Sequence, residues 1–266
     1  MTDGEAWNQF AQFQKRHERK YQKRFYQLIR RHARRVAAYV RENGADLAET
    51  NINTLVLPSE TEALLRQLYT EVGVRWANVE YGNIQEYTKA WAQPVRLKAF
   101  GFNALWESIL NIFFAAQGGD KITSIDETTK LWLIRKIQDG RAAQLGSEQI
   151  ARSMENDKDI PLWRSRLIAR TETVAAANFG GMTAARQSKL KMVKRWVNAR
   201  DKRVRELHKD QSQGGVGGEV VPLEQPFGNG LMHPGDPTGG AKQVCNCRCI
   251  ASMRPVRDAN GMPVTA

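Results

Sequence analysis

The last third of the chain contains, in order, Lys194-Arg-Trp196, Asp201-Lys-Arg-Val-Arg-Glu-Leu-His208, Phe227, Pro234-Gly-Asp-Pro237 and Asn246-Cys-Arg-Cys249. β-forming residues surround the tryptophan, and two glycine pairs follow the second motif, a pattern typical of short strands joined by turns. This part of the sequence therefore predicts a small module that contains both helix and strand.

We predict three short strands and one short helix in this module. The strands are expected at residues 192–198, 219–222 and 250–254. The helix is expected at Asp201–Lys209, directly after the first strand. Pro234-Gly-Asp-Pro237 is predicted to be a turn in which Asp236 accepts hydrogen bonds from neighbouring backbone amides.

Upstream of the module, apolar residues recur at steps of three and four, the spacing of amphipathic helices. The first helix is predicted at residues 5–42, ending near Asn43-Gly44. Later helices are predicted to begin at Ser59, after Pro94, and at Ser124, Ser147 and Pro161, the last running to about Asn178, with a break at Gly118-Gly119.

These patterns predict an α+β fold class, with a mainly α-helical N-terminal and central body and a small α+β C-terminal module. The predicted segments are a long basic amphipathic helix at 1–44, a helical body at 45–185, the α+β module at 186–254 and a tail at 255–266. Large aromatic side chains of the body are predicted to be core or interface anchors: Trp76, Trp91, Trp106, Phe113, Phe114, Trp132 and Trp163.

The chain carries a formal net charge of +12, and its basic residues are concentrated in two blocks. Residues 14–41 hold eleven Lys or Arg and one acid, and residues 186–210 hold ten bases and three acids. Residues 42–163 have a net charge of −5. This distribution indicates contact with a polyanion at two places, separated by an acidic body.

The first basic block is the candidate DNA-binding surface. A solvated helix normally mixes acids with its bases, and this helix contains almost no acids. A solvated basic face remains the alternative interpretation. The candidate residues are Lys15, Arg16, Arg19, Lys20, Lys23, Arg24, Arg30, Arg31, Arg34 and Arg35.

The C-terminal motifs, together with Ile168-Ala-Arg-Thr-Glu-Thr173 upstream, resemble the phage Mu protein F-like minor head proteins over about residues 125–252. The resemblance implies a structural role for the motif residues Arg170, Glu172, Trp196, Asp201, Arg205, His208, Phe227, Asp236, Asn246 and Arg248. It also implies a bacteriophage minor head protein, located in the capsid interior near the portal, that acts in head morphogenesis and in packaging or ejection of DNA.

Asp201, Arg205 and His208 are spaced by four and three residues, which would place them on one face of the predicted helix. A structural hydrogen-bonded network, a metal site and a hydrolytic site are all compatible with these residue types. The family resemblance implies no enzymatic activity of this module, so we predict that the protein is not an enzyme.

Cys245, Cys247 and Cys249 fall within five residues, so a disulfide framework is not expected. Buried reduced cysteines are one interpretation. The other is a structural zinc site formed by His208, Cys247 and Cys249 with Cys245, Asp201 or His233 as the fourth ligand. Apart from this zinc ion, the sequence predicts no cofactor.

The expected partners are the portal protein, other head proteins and DNA without sequence preference. The sequence shows neither a membrane anchor nor a signal peptide, which predicts the host cytoplasm as the place of assembly. A metal-dependent nuclease or toxin effector that carries a Mu F-like module is the alternative. The sequence given stops seventeen residues after Cys249, so we expect no fused effector. A nucleic-acid-binding protein unrelated to phage would explain the charge but not the ordered motifs.

Overall fold

The computed structural model describes residues 1–89 and 102–266 and has eight α-helices and three strands in these parts. The helices are α1 (Asp3–Asn43), α2 (Ala45–Thr50), α3 (Ile52–Leu55), α4 (Pro58–Lys89), α5 (Phe102–Ala142), α6 (Ser147–Asn156), α7 (Asp159–Gln187) and α8 (Gly240–Val244). The strands are β1 (Met192–Val197), β2 (Val220–Pro222) and β3 (Ile250–Pro255). The predicted α+β class is confirmed.

The N-terminal helix forms where its apolar periodicity predicts it. Phe10, Phe25 and Val36 are fully buried along one stripe of α1. The helix ends at Asn43, and the next residue, Gly44, has a φ of 86°, in the left-handed region that glycine adopts without steric cost.

The predicted break at Gly118-Gly119 is wrong, because α5 continues through both glycines. The predicted helix start at Ser124 is therefore also wrong. Glycine costs only about 1 kcal/mol relative to alanine inside a helix. Burial of apolar side chains on both sides of the pair, such as Leu110 and Leu133, offsets that cost.

The helix starts predicted at Ser59 and Pro161 are displaced by one and two residues. Ser59 lies inside α4, which begins at Pro58, and α7 begins at Asp159 and runs on to Gln187. Helix α6 begins at Ser147, with Gly146 as its N-cap. Proline is favourable in the first turn of a helix because its missing N–H is not needed there. The predictions that involve Trp91 and Pro94 lie outside the described residues.

The chain forms two compact units. Unit 1 comprises Met1–Glu18, Gln67–Phe114 and Arg170–Ala266, and unit 2 comprises Arg19–Arg66 and Ala115–Ala169. Helices α1, α4, α5 and α7 each contribute residues to both units. These units are defined by packing. The segments 1–44, 45–185, 186–254 and 255–266 were defined by charge and motifs, and their boundaries stay a prediction.

Unit 2 has an all-helical core of aliphatic side chains. Val36 and Val40 of α1 pack with Leu133 and Ile137 of α5 and with Ile150 of α6. Ion pairs bind the same helices at their surface, because Arg41 contacts Glu155 at 2.6 Å and Glu148 at 2.7 Å.

Unit 1 contains the sheet, in which β1 lies between β2 and β3 and pairs antiparallel with both. The three predicted strands are thus confirmed within one residue at most ends. Trp196 lies opposite Ala251, and Arg195 lies opposite both Ser252 and Val220. Asp3, at the start of α1, accepts hydrogen bonds from Arg195 (2.9 Å) and from Arg254 (2.8 Å). The N-terminus therefore belongs to the same unit as the sheet.

Two helices of unit 1 cross at very short range. A Cβ atom built on Gly180 of α7 would lie 2.2 Å from the backbone oxygen of Gly73 in α4. Only glycine permits this contact, because the opposing atom is backbone and has no side-chain freedom.

Candidate functional site

The structure brings His208, Cys247 and Cys249 together in unit 1, and all three are buried. Their ligand atoms lie within 4.8 Å of one another. His208 Nδ1 is 3.7 Å from Cys247 Sγ and 3.8 Å from Cys249 Sγ. The histidine closes a single 3-10 turn at Glu206–His208, and the two cysteines lie in the turn between α8 and β3.

Residues of α7 fix the turn that carries the cysteines. Asn246 has a φ of 63°, a left-handed conformation that asparagine tolerates better than most residues. Its backbone N–H donates to Thr171 Oγ1 at 2.9 Å, and its side-chain oxygen accepts from Arg170 at 2.8 Å. Arg170 also forms an ion pair with Glu18 at 2.8 Å. The motif residues Arg170 and Asn246 thus position Cys247.

The predicted helix at Asp201–Lys209 is wrong, since only Glu206–His208 is helical, as one 3-10 turn. The Asp201 carboxylate accepts the backbone N–H of Arg203 at 2.9 Å, a local bond that competes with helix formation. Arg205 then takes an extended backbone with φ −66° and ψ 153°. The three motif side chains therefore do not share a helix face.

Each of these motif residues instead has its own partner. Asp201 accepts two hydrogen bonds from Arg248, at 2.6 and 2.7 Å. These bonds hold the pKa of the Asp201 carboxyl well below its usual value. Arg205 donates to the backbone oxygen of Cys245. Together the two arginines connect the loop after β1 to the cysteine turn.

The aromatic motif residues form the interior of the module. Trp196 is fully buried, with its ring centroid 4.8 Å from that of His208 and 5.0 Å from that of Phe227. The Trp196 and Phe227 rings meet edge to face at 88°, an arrangement favoured by their quadrupoles. Trp196 therefore fixes the orientation of the histidine.

Asp236 accepts hydrogen bonds from the backbone N–H groups of Met232 (2.8 Å) and Thr238 (3.0 Å). The predicted turn role of Asp236 agrees with these contacts. Burial raises the pKa of this carboxyl, but His233 and the two backbone N–H groups outweigh burial and lower the pKa below its ordinary value.

Glu172 of α7 is buried and accepts a hydrogen bond of 2.7 Å from Tyr69 Oη of α4. Burial, followed by the nearby Glu172 carboxylate, raises the pKa of the Tyr69 hydroxyl well above its ordinary value. Glu172 therefore contributes to helix packing in unit 1, in line with the structural role that the family resemblance implies.

The two buried thiols differ in acidity. A hydrogen bond from Cys249, with a smaller contribution from His208, lowers the pKa of Cys247 well below the ordinary thiol value. The same hydrogen bond, together with burial, raises the pKa of Cys249. Within this pair Cys247 is therefore the more acidic thiol, because the hydrogen bond stabilises its charged form.

The described ligand group does not contain the predicted fourth ligands. Cys245 is half-buried and lies outside the group. His233 Nδ1 is 3.1 Å from the Pro234 oxygen, and the His233 ring contacts Phe179. Asp201 is bound to Arg248.

The burial of two charged residues was not predicted from the sequence. Lys194 of β1 donates to the Met232 oxygen at 2.7 Å, and burial lowers its pKa to about 8. Glu80 of α4 accepts the Met253 N–H at 3.0 Å, and burial raises its pKa to about 7. The alternation of β1, in which Lys194 stands between Met192 and Trp196 on one face, is a signal that could have identified the buried lysine.

The basic helix α1 has both solvent-facing and paired bases. Lys15, Arg16, Arg19 and Lys23 are exposed. Farther along the helix, Glu60 of α4 pairs with Arg35 at 2.8 Å. Acids of other helices thus pair with the later bases, which the sequence of α1 alone does not reveal.

Some aromatic side chains of the helical body are buried and others are exposed. Trp76, Trp106 and Phe114 are buried, so the protein's own core accounts for them. Trp163 is 60% exposed and lines a cavity of about 420 Å³ in unit 2, together with Trp132. Among the described tryptophans of the body, Trp163 therefore presents the largest exposed fraction for a partner.

Comparison with known proteins finds similarity to one family of phage proteins. Residues 130–252 match the family described as Phage Mu protein F like protein. The chain is 31% identical over 139 residues to "Minor head protein GP7" of Bacillus phage SPP1. That alignment covers 47% of this chain and 44% of the relative, so the chain spans less than half of the relative's length. No solved structure matches.

Residues 130–252, which contain all the motif residues described above, are thus similar to the Phage Mu protein F-like family. No helix in residues 1–89 and 102–266 carries an apolar stretch of the length needed to span a bilayer.

Proposed function

We propose that the protein is a minor head protein of a tailed bacteriophage or prophage, that it acts in head morphogenesis, and that it lies inside the capsid next to the portal. The similarity of residues 130–252 to the Phage Mu protein F-like family, and of the chain to a minor head protein, supports the role in the head. The further proposal is that unit 2 docks on the portal or another head protein, while the basic face of α1 contacts packaged DNA during packaging or ejection.

The main support for a structural role is that the motif side chains bind one another and the backbone. Asp201 binds Arg248, Arg205 binds the Cys245 oxygen, and Arg170 binds Asn246. A catalytic acid or base needs a proton that it can exchange with a substrate. A carboxylate held in an ion pair, such as Asp201 with Arg248, and arginines bound to protein oxygens are poorly suited to that task, which favours the structural interpretation over a nuclease.

The docking proposal rests on an apolar concavity of unit 2. Leu131, Ile160 and Trp163 are 58%, 38% and 60% exposed and line the same cavity. The rim is polar, and its Asp157 is paired with Lys136 at 3.0 Å. An exposed aromatic in an apolar centre with a charged rim is the usual composition of a protein interface and its hot spots.

Particle composition tests both proposals. In phage or prophage deleted for this gene and complemented in trans, the wild-type chain should sediment with purified heads and resist protease until the heads are opened. Trp163→Ala should weaken docking by about 2 kcal/mol, roughly thirty-fold in affinity, if Trp163 is a hot spot. The wild-type chain should be recovered with the cognate portal even in high salt, because salt does not screen apolar contacts. For Trp163→Ala, both this recovery and the incorporation into heads should decrease.

Ile112→Ala is the matched control, because Ile112 is 67% exposed on α5 and does not line the cavity. It should be incorporated like the wild type. Absence of the wild-type chain from purified heads would contradict the minor head role. Normal incorporation of Trp163→Ala would leave that role standing and remove the cavity as the docking surface.

The DNA proposal rests on the exposed bases near the start of α1. Arg16, Arg19 and Lys23 face solvent, and Arg19 and Lys23 line a second cavity of unit 2 with Lys158. A cluster of solvated cations binds duplex DNA mainly by releasing counterions, without regard to sequence.

We expect the logarithm of DNA affinity to fall with the logarithm of salt concentration at about −0.9 per phosphate neutralised. The triple change Arg16→Gln, Arg19→Gln and Lys23→Gln removes up to three phosphate contacts. It should therefore make the slope shallower by up to about 2.7. The control triple Arg135→Gln, Arg152→Gln and Arg166→Gln removes the same charge from exposed positions outside the basic block. Equal slopes for both triples, measured by fluorescence anisotropy, would argue against α1 as the DNA surface.

A further inference from the structure

We propose that His208, Cys247 and Cys249 bind one zinc ion, and that this ion joins the loop after β1 to the turn before β3. The inference does not depend on the proposed role in the phage head. It rests on the chemistry of the three ligands and on the distances between them.

The first argument is geometric. Zinc binds thiolate sulfur at about 2.3 Å and imidazole nitrogen at about 2.0–2.1 Å, so tetrahedral angles place the nitrogen about 3.6 Å from each sulfur. His208 Nδ1 lies 3.7 Å from Cys247 Sγ and 3.8 Å from Cys249 Sγ. With its proton on Nε2, the imidazole turns the Nδ1 lone pair toward both sulfurs. The two nitrogen–sulfur distances thus match two edges of a zinc tetrahedron to within about 0.2 Å, and the two sulfurs lie within 4.8 Å of each other.

The second argument is the donor set. Two thiolates and one imidazole are soft or borderline ligands that suit zinc and disfavour magnesium or calcium. All three side chains are buried, and the Trp196 ring fixes the imidazole from one side. Ligands held in this way do not need to be ordered when the ion binds.

The fourth position is supplied by solvent in this proposal. A cavity of about 10 Å³ touches all three ligands and is otherwise lined mainly by Arg203, Arg205, Asn246 and Arg248. That volume is near the lower limit for a single water molecule. The described part of the chain contributes no further His, Cys, Asp or Glu to the group.

The ion would strengthen a part of the module that has little regular structure. Between β1 and β2 the chain forms two 3-10 turns, Glu206–His208 and Gln211–Gln213, and one isolated β-bridge between Asp210 and Gly217. A metal bound to the first turn and to the cysteine turn adds its binding free energy to folding, because the unfolded chain does not present the site.

Metal analysis of the full-length protein, purified without chelator, tests the inference. We expect about one zinc per chain, with at least a ten-fold lower content in His208→Asn, Cys247→Ser and Cys249→Ser. Cys245→Ser is the matched control, because it removes a thiol from the same turn but outside the ligand group. It should keep the wild-type zinc content.

Cobalt replacement gives a readout that requires no variant. The wild-type protein exchanged with Co²⁺ should show thiolate-to-cobalt charge-transfer absorption and the intense visible bands of a tetrahedral ion. In the zinc-loaded folded protein only one thiol per chain, that of Cys245, should react quickly with a disulfide reagent. Less than about a tenth of a zinc per chain, no cobalt–thiolate bands and three equally reactive thiols would overturn the inference and leave ordinary reduced cysteines.

Discussion

Replacing Trp196 by alanine should lower the free energy of unfolding by about 3–5 kcal/mol, the usual cost of removing a fully buried large aromatic side chain. Trp196 has no exposed surface and packs its ring against both His208 and Phe227. Its loss would leave a cavity between β1 and the cysteine turn that the surrounding backbone cannot close. Urea denaturation followed by circular dichroism measures the change.

Trp163→Ala provides the control, since it removes the same side chain from a position that is 60% exposed. Exposed substitutions usually change stability by less than about 0.5 kcal/mol. A loss below about 1 kcal/mol for Trp196→Ala would mean that the module repacks around the gap. In that case Trp196 could not be the central packing residue that its contacts indicate.

Replacing Glu80 by glutamine should make the protein more stable at neutral and alkaline pH, and the gain should vanish in acid. Burial raises the pKa of Glu80 from 4.5 to about 7. Between these values the unfolded chain releases a proton that the folded chain retains. Wild-type stability from this group is therefore present below about pH 4.5 and is lost as pH rises to about 7, at about 1.4 kcal/mol per pH unit.

The difference in unfolding free energy between Glu80→Gln and wild type should thus grow by about 3 kcal/mol from acid to pH 8. Glutamine keeps an oxygen to accept the Met253 N–H, so the bond of 3.0 Å can persist. Denaturation at a series of pH values measures the difference. A difference that does not change with pH would show that Glu80 ionises normally in the folded protein.

Glu5→Gln is a control of opposite sign. A hydrogen bond from the Thr2 backbone N–H lowers the pKa of the exposed Glu5 carboxyl. Its small contribution to stability is therefore present above the unfolded pKa and lost as pH falls. The two variants should depart from wild type in opposite directions as pH rises.

The sequence by itself determined most of the secondary structure and the similarity to the Phage Mu protein F-like family. The three-and-four periodicity of α1 and the β-forming residues around Trp196 specify local backbone conformation, which depends mainly on residues near in sequence. The motif order from Arg170 to Cys249 is likewise a property of the sequence. Local rules failed at Gly118-Gly119 and at Asp201–Lys209, where packing in one case and a side-chain hydrogen bond in the other outweighed propensity.

Only the tertiary structure decided which side chains meet. Asp201 pairs with Arg248 rather than with Arg205, and His208 meets Cys247 and Cys249 across about forty residues of sequence. The same holds for the burial of Glu80. Such contacts depend on how distant segments pack, and the spacing of residues along one segment carries no information about a partner on another. The site could therefore be named residue by residue from the sequence, but its geometry came from the fold.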